Sequence, residues 1–284
     1  MDIGINSFGP KAELYEDFAG TIEKLKAAGI TSLEPCVVMT DDMTPPEGFV
    51  IPPEVLRIMS GWIWSCQNAP EKLAQVRAMG LAAVSVHIFG GTESPERFLS
   101  VVPKAAAFGK ENGVKCFVLS LMLGYEGLKA FAPAVKQATE LLAEAGIMLA
   151  YHNHEAEFEA VDGQTALDCL LEACPLLKLE LDVGWATFAG LDPVELMHRY
   201  RDRLVLLHLK DIKADACAEN RATCFTAVGE GAVKLGAVLK RARECALLEH
   251  GIIIDQDDSE TDILDDIALG VQNVRKCWET AERS

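Results

Sequence analysis

Positive charge is the scarcest commodity in this chain. Lysine and arginine number 26 among 284 residues, against 43 aspartates and glutamates, for a formal charge of −17. A surface that negative repels phosphate backbones and anionic membranes, so neither nucleic acid nor a membrane is an expected partner. Long apolar runs are also missing, and none approaches the ~18 residues a membrane helix requires. The opening Met-Asp-Ile-Gly-Ile-Asn lacks the basic stretch and apolar run of a secretion signal, so a cytoplasmic location is the expectation. Nine cysteines are present, an odd number, and no Cys-x-x-Cys pair occurs. That usage suits reduced thiols serving as small core residues, not a disulfide framework. Twenty-two glycines and twelve prolines exclude collagen-like and low-complexity chains. No linker-like stretch divides the sequence, and residues 1–284 read as one domain.

What is present is periodic. A helical stretch ends in glycine and an apolar run follows at once, at Ala28-Gly29-Ile30, Met79-Gly80-Leu81, Asn112-Gly113-Val114, Ala145-Gly146-Ile147 and His250-Gly251-Ile252. Glycine just past a helix end supplies the left-handed cap that other residues adopt only at a cost. Eight strands are expected, over about 2–6, 31–37, 82–88, 114–121, 147–153, 178–183, 204–209 and 251–256. Several are continuous apolar runs, as parallel strands covered on both faces are. Between them lie helical patterns, such as Leu14, Phe18, Ile22 and Leu25 on one face, and Asp192-Pro193-Val194-Glu195 with the order of a helix start. The class is therefore α/β, and eight βα units predict a (β/α)8 TIM barrel. The absence of Gly-x-Gly-x-x-Gly after the first strand weighs against an open doubly wound sheet. Residues 38–54 and 212–228 are the long loops, both expected at the C-terminal barrel face.

Polar residues gather at the strand ends: Glu34, His87, His152-Asn153-His154, Asp182 followed by Trp185, His208-Leu209-Lys210, and Asp255-Gln256-Asp257. Side chains in a strand alternate with period two, so His152 shares a face with His154, and His208 with Lys210. Asp182, His208 and Asp255 come from consecutive strands and can converge. Imidazole with carboxylates suits a divalent ion such as Mn, Co, Mg, Zn or Fe. Any one such residue is more often a hydrogen-bonded structural group; six strand ends carrying one together favour a site. The acidic run Asp257–Glu260 reads as the cap of the final helix.

Tyr151-His152-Asn153-His154 with Glu157-Phe158, Leu181-Asp182-Val183-Gly184-Trp185, His208-Leu209-Lys210-Asp211, Gly229-Glu230-Gly231 and Asp255-Gln256-Asp257 together resemble the xylose isomerase-like sugar phosphate isomerase/epimerase superfamily. The resemblance implies a barrel with a divalent metal at its C-terminal face. It further implies isomerase, epimerase or dehydratase chemistry on sugars, inositols or keto-sugars. Many members hold the metal with Glu, Asp, His and Glu from strands five to eight. Asp182 and His208 match the second and third positions. Asp255 stands at the fourth, one methylene shorter, and Ala150 at the first, with His152 as its substitute. The expected ligands are thus His152, Asp182, His208 and Asp255.

His154 is the expected proton-transfer base and Lys210 the donor to a developing oxyanion. The alternative pairs Lys210 with a site carboxylate and leaves His154 to brace His152. Glu34 and His87 would hold substrate hydroxyls, while Trp185 and Glu230 line the opposite wall. The leading reading is a metal-dependent isomerase or epimerase acting on a small carbohydrate through an enediolate. A dehydratase or lyase acting on a keto-sugar or keto-inositol is the alternative, and a sugar-binding or partner subunit without catalysis is the third. Barrels of this kind often pair through strand-end loops, which leaves a homo-oligomer open.

Overall fold

The computed structural model describes residues 1–40 and 52–282, so most of the expected 38–54 loop lies outside the described residues. Its main sheet is built from β1 (Gly4–Asn6), β2 (Ser32–Glu34), β3 (Cys36–Val38), β4 (Ile63–Ser65), β5 (Ser85–Phe89), β6 (Cys116–Leu119), β7 (Met148–His152), β8 (Lys178–Asp182), β9 (Leu204–Leu209) and β10 (Ile252–Ile254). Neighbours run β2-β1-β10-β9-β8-β7-β6-β5-β3-β4, and every pairing is parallel. β2 and β3 are one strand broken at Pro35, which has no N–H to place in a ladder. β2 pairs with β1 and β3 with β5, while Ser32 bridges Ala82 on the approach to β5, so the sheet closes on itself. The expected barrel is what the chain forms.

β4 is an addition that the eight-strand expectation lacks. The helix Pro53–Trp62 runs into it without a turn, because Ile63 is both the helix cap and the first strand residue. Two short hairpins, 160–161 with 164–165 and 211–212 with 225–226, decorate the outgoing loops. Four of the five expected glycine caps hold, with positive φ at Gly29, Gly80, Gly113 and Gly146. The fifth does not. His250 takes the left-handed conformation there, at φ 59°. Gly251 is needed for space, since a Cβ would lie 2.7 Å from the Leu248 carbonyl oxygen and 2.9 Å from that of Val205.

Alternation sorts the strand residues. Leu149, Leu179, Leu181, Leu207 and Ile254 face the helices and join the main core. Each such side chain contributes about 1.5–3 kcal/mol by burial. The residues of opposite parity face the barrel axis. At its lower end Cys116, Val118, Ala150, Leu206 and Ile253 form a separate apolar plug. Ala150 therefore lies in the plug, one pleat below His152. Among the described residues no helix is long and apolar enough to cross a membrane.

Candidate functional site

Above the plug the inward positions turn polar, in two tiers. The lower tier comprises Glu34 on β2, His87 on β5, Glu180 on β8 and His208 on β9. Glu34 Oε2 lies 2.7 Å from His208 Nε2 and 3.2 Å from His87 Nε2. Glu180 Oε2 lies 3.0 Å from His87 Nε2 and 2.9 Å from His152 Nδ1, and Glu180 Oε1 lies 3.3 Å from His208 Nε2. Asn6 Nδ2 donates to Glu34 at 3.0 Å. All of these except His87 are almost fully buried.

The upper tier holds Asp182, Lys210, Asp255 and Asp257. Lys210 Nζ lies 2.9 Å from Asp255, 2.6 Å from Asp257 and 3.9 Å from Asp182. His208 connects the tiers, since its Nδ1 meets Asp255 Oδ2 at 3.1 Å. Asp182 caps the short helix Val183–Phe188 through Oδ1, which accepts from Trp185 N at 2.8 Å, while its Oδ2 has no hydrogen-bond partner. Asn153, on the opposite face of its strand, holds the end of β8 by exchanging hydrogen bonds with the Asp182 backbone. A cavity of about 330 Å³ opens over the tiers. Its floor and one wall are His87, His152, His154, Trp185, Lys210, Arg221, Asp255 and Asp257; the other wall is mostly Phe8, Trp62, Ile88, Phe89 and Met122.

The charges are unevenly matched. Burial works against protonated histidine, but the facing Glu180 and Glu34 hold the His208 pKa well above its usual value. The same contest, with Glu34 and Glu180, raises His87 to about 9. His152 goes the other way, to about 4, because burial and the neighbouring His208 and His87 outweigh its bond to Glu180. His154 is held well below the usual range by burial, His152 and Lys210, so it is neutral at neutral pH. In the upper tier, burial and then Asp255 push Asp182 up to about 7 despite Lys210. Burial, against Lys210, raises Asp257 to about 6. Three carboxylates facing one lysine are short of positive charge.

That shortage, with the orphaned Asp182 Oδ2, fits a cation. His152, Asp182, His208 and Asp255 each offer one donor atom, all within 4.8 Å of one another. Glu180 fixes His152 through Nδ1, which leaves Nε2 as the nitrogen available to an ion, the arrangement common among metal-binding histidines.

The structure places the other expected residues variously. His154 lines the cavity, with Nδ1 3.2 Å from Ser120 Oγ. Lys210 lines it too, yet is paired with the site carboxylates. Trp185 forms the expected wall. Glu34 does not line the cavity; it is spent on His208, His87 and Asn6 beneath the floor. Glu230 is not in the site. It is exposed and accepts from Asn273 Nδ2 at 2.9 Å. Its flanking glycines are there because Asp211 accepts from the backbone N–H groups of Gly229, Gly231 and Val233, and a Cβ on Gly231 would lie 2.3 Å from Asp211 Oδ1. Asp257 leaves the acidic run to pair with Lys210, and Asp262 takes the helix start instead, accepting from Leu264 N. Glu157 accepts from the Tyr151 hydroxyl and from His154 N, so it braces the turn that carries His154.

Two residues missed from sequence complete the site. Glu180 lies two residues before Asp182, and period two alone puts it on the same inward face. Arg221 comes from the loop after β9, stacks 4.3 Å from the Trp185 ring centre and makes a two-pronged ion pair with Glu155. Nothing local in the sequence marks it.

The family model for xylose isomerase-like TIM barrels matches residues 22–269. An inosose dehydratase of Geobacillus kaustophilus is 36% identical over 89 residues, which cover 31% of this chain and 28% of that one. The rhizopine catabolism protein MocC of Rhizobium meliloti is 24% identical over 190 residues, covering 62% of this chain and 58% of that one. The matched stretches therefore span less than two thirds of these relatives. Among solved structures, a sugar phosphate isomerase/epimerase from Parabacteroides distasonis superposes with a TM-score of 0.75 at 22% identity, over 97% of this chain and 94% of that one. The probable 3-DHS dehydratase AsbF from Bacillus anthracis gives 0.66 at 14% identity, over 97% and 99%. These two likenesses are of fold.

Proposed function

The chain belongs to the xylose isomerase-like TIM-barrel family, and from that premise we propose that it removes water from a keto-inositol or keto-sugar after taking a proton from the carbon beside the carbonyl. The observation that carries this reading is the one-sidedness of the cavity. Among the described residues, every carboxylate and lysine that lines it stands with His154 on one wall, and Phe8, Trp62, Ile88, Phe89 and Met122 make up most of the other. Epimerisation by two bases needs a second base across the substrate. Elimination and aldose–ketose isomerisation need only one face.

His154 is the base. Ser120 holds Nδ1, Nε2 is left for the substrate, and the ring is neutral when the reaction begins. Lys210 keeps its charge and donates to the oxygen on which negative charge develops. Asp257 carries a proton more readily than an ordinary aspartate and passes it to the departing hydroxyl. The substrate thus loses a proton to His154 and a hydroxyl that leaves as water with the Asp257 proton; His154 then releases its proton to solvent and Asp257 regains one from it. His152, Asp182, His208 and Asp255 are the residues that would hold a divalent ion. When bound, such an ion supplies Lewis-acid polarisation of the substrate carbonyl. The relatives named as inosose dehydratases support elimination over isomerisation.

The test is a panel of keto-inositols and ketoses incubated in D2O with metal-supplemented protein. Proton NMR should show exchange beside the carbonyl, and mass spectrometry the loss of one water. Exchange without water loss selects the isomerase reading. No exchange with any compound, from protein of verified metal content, rejects both.

A further inference from the structure

We infer that the lower tier is a second divalent-cation site, deeper than the one assigned above and independent of which reaction the barrel performs. Its donors alternate. Nε2 of His87 and Nε2 of His208 are each flanked by a Glu34 oxygen and a Glu180 oxygen, at 2.7–3.3 Å. Donors held about 2.0–2.1 Å from one tetrahedral ion lie ~3.3 Å apart, so small outward movements open the cluster around an ion. Oε1 of Glu180 and Oε1 of Glu34 are buried without a hydrogen-bond partner, and Glu180 Oε1 is aimed at His208 Nε2. His87, His152, Glu180 and His208 can each bring one donor atom within 4.8 Å of all the others.

Filling both tiers makes His208 a bridging imidazolate that has given up both ring protons. His208 turns Nδ1 up to Asp255 and Nε2 down to Glu34 and Glu180. His152 turns Nδ1 down to Glu180, leaving Nε2 for the upper tier. A carboxylate of one tier thus orients the histidine that serves the other. Access is through the cavity floor, which His87 and His152 line. Glu34 and Glu180 do not themselves line the cavity, so direct hydroxyl binding does not account for them.

The test titrates metal-free full-length protein with Co(II) alone, following visible absorption and counting bound metal after gel filtration. Wild type should bind two equivalents with separable spectral changes. Glu180→Gln and His87→Gln should each keep one equivalent and lose the same spectral component. Asp182→Asn should also keep one, but lose the other component. Far-UV circular dichroism identifies any variant that fails to fold, and the two lower-tier variants serve as each other's check. Saturation of wild type at one equivalent overturns the inference. So does a second equivalent that persists in both Glu180→Gln and His87→Gln. Neither result touches the upper site, whose own loss in Asp182→Asn is read separately.

Discussion

The two polar tiers bury carboxylates in opposite ways. In the lower one, Glu34 and Glu180 are matched by His87 and His208, both of which favour the protonated state, and the carboxyls are driven below their ordinary range. In the upper one, Lys210 faces Asp182, Asp255 and Asp257, His208 reaches Asp255 from below, and the other two aspartates are driven upward. Without metal, a matched tier is balanced by its own protonated histidines, and a cation enters it as those protons leave. An undermatched tier stores an electrostatic demand that something from outside must meet, and it lies at the open end, where a cation or substrate arrives.

The comparison breaks most readily at the upper end. His154→Gln should lower turnover by about 10²–10⁴-fold with metal content unchanged, the usual worth of a general base. Normal turnover in that variant would move the chemistry away from the His154 wall. Next comes Lys210→Met, which strips the upper tier of its lysine. Leaving buried carboxylates unpaired should cost about 3–5 kcal/mol in denaturant unfolding. Adding Asp257→Asn should recover part of the loss.

Acid–base titration sharpens the contrast further. The folded pKa values of Asp182 and His87 are both raised, so both contributions stabilise at low pH and fade as pH rises. For Asp182 the window lies between the ordinary 3.8 and about 7. For His87 it lies between the ordinary 6.5 and about 9, below which its contribution is complete, and above which up to ~3 kcal/mol is lost. Metal-free protein should therefore lose stability in two stages on alkalinisation. Asp182→Asn should flatten the first and His87→Asn the second, as read from unfolding midpoints across pH. The smallest effect is expected outside both tiers. Glu230→Gln should change stability by less than about 0.5 kcal/mol and leave turnover intact, as an exposed hydrogen bond to Asn273 allows.

The barrel was legible because its strands are apolar runs and four of its helices end in left-handed glycine. β4 was not, since Trp62-Ile63-Trp64 continues a helix without any punctuating residue. The shared inward facing of His152, Asp182, His208 and Asp255 was legible from period two at the strand ends. Glu180 obeys the same rule and was overlooked only because Asp182 drew attention two residues later. Glu230 misled because its glycines signal a constrained loop without saying what constrains it. The answer, Asp211, is distant in sequence, and so is Arg221 from the Trp185 it covers. Such contacts are set by how loops return over the mouth, which local pattern does not encode.

The Asp211 clasp has a bearing on how this molecule can change. One carboxylate gathers the amides of Ile212, Gly229, Gly231 and Val233, closing the loop after β9 at its base. Residues 214–223 thereby hang outside a fastening that the barrel holds by itself. Length and sequence there can drift, or be exchanged between relatives, with the strands beneath left in register. Arg221 rides on that removable segment. Among the described residues, the one arginine that lines the mouth thus belongs to a segment fastened at its base. New substrate preferences can be acquired there without rebuilding either tier of the interior.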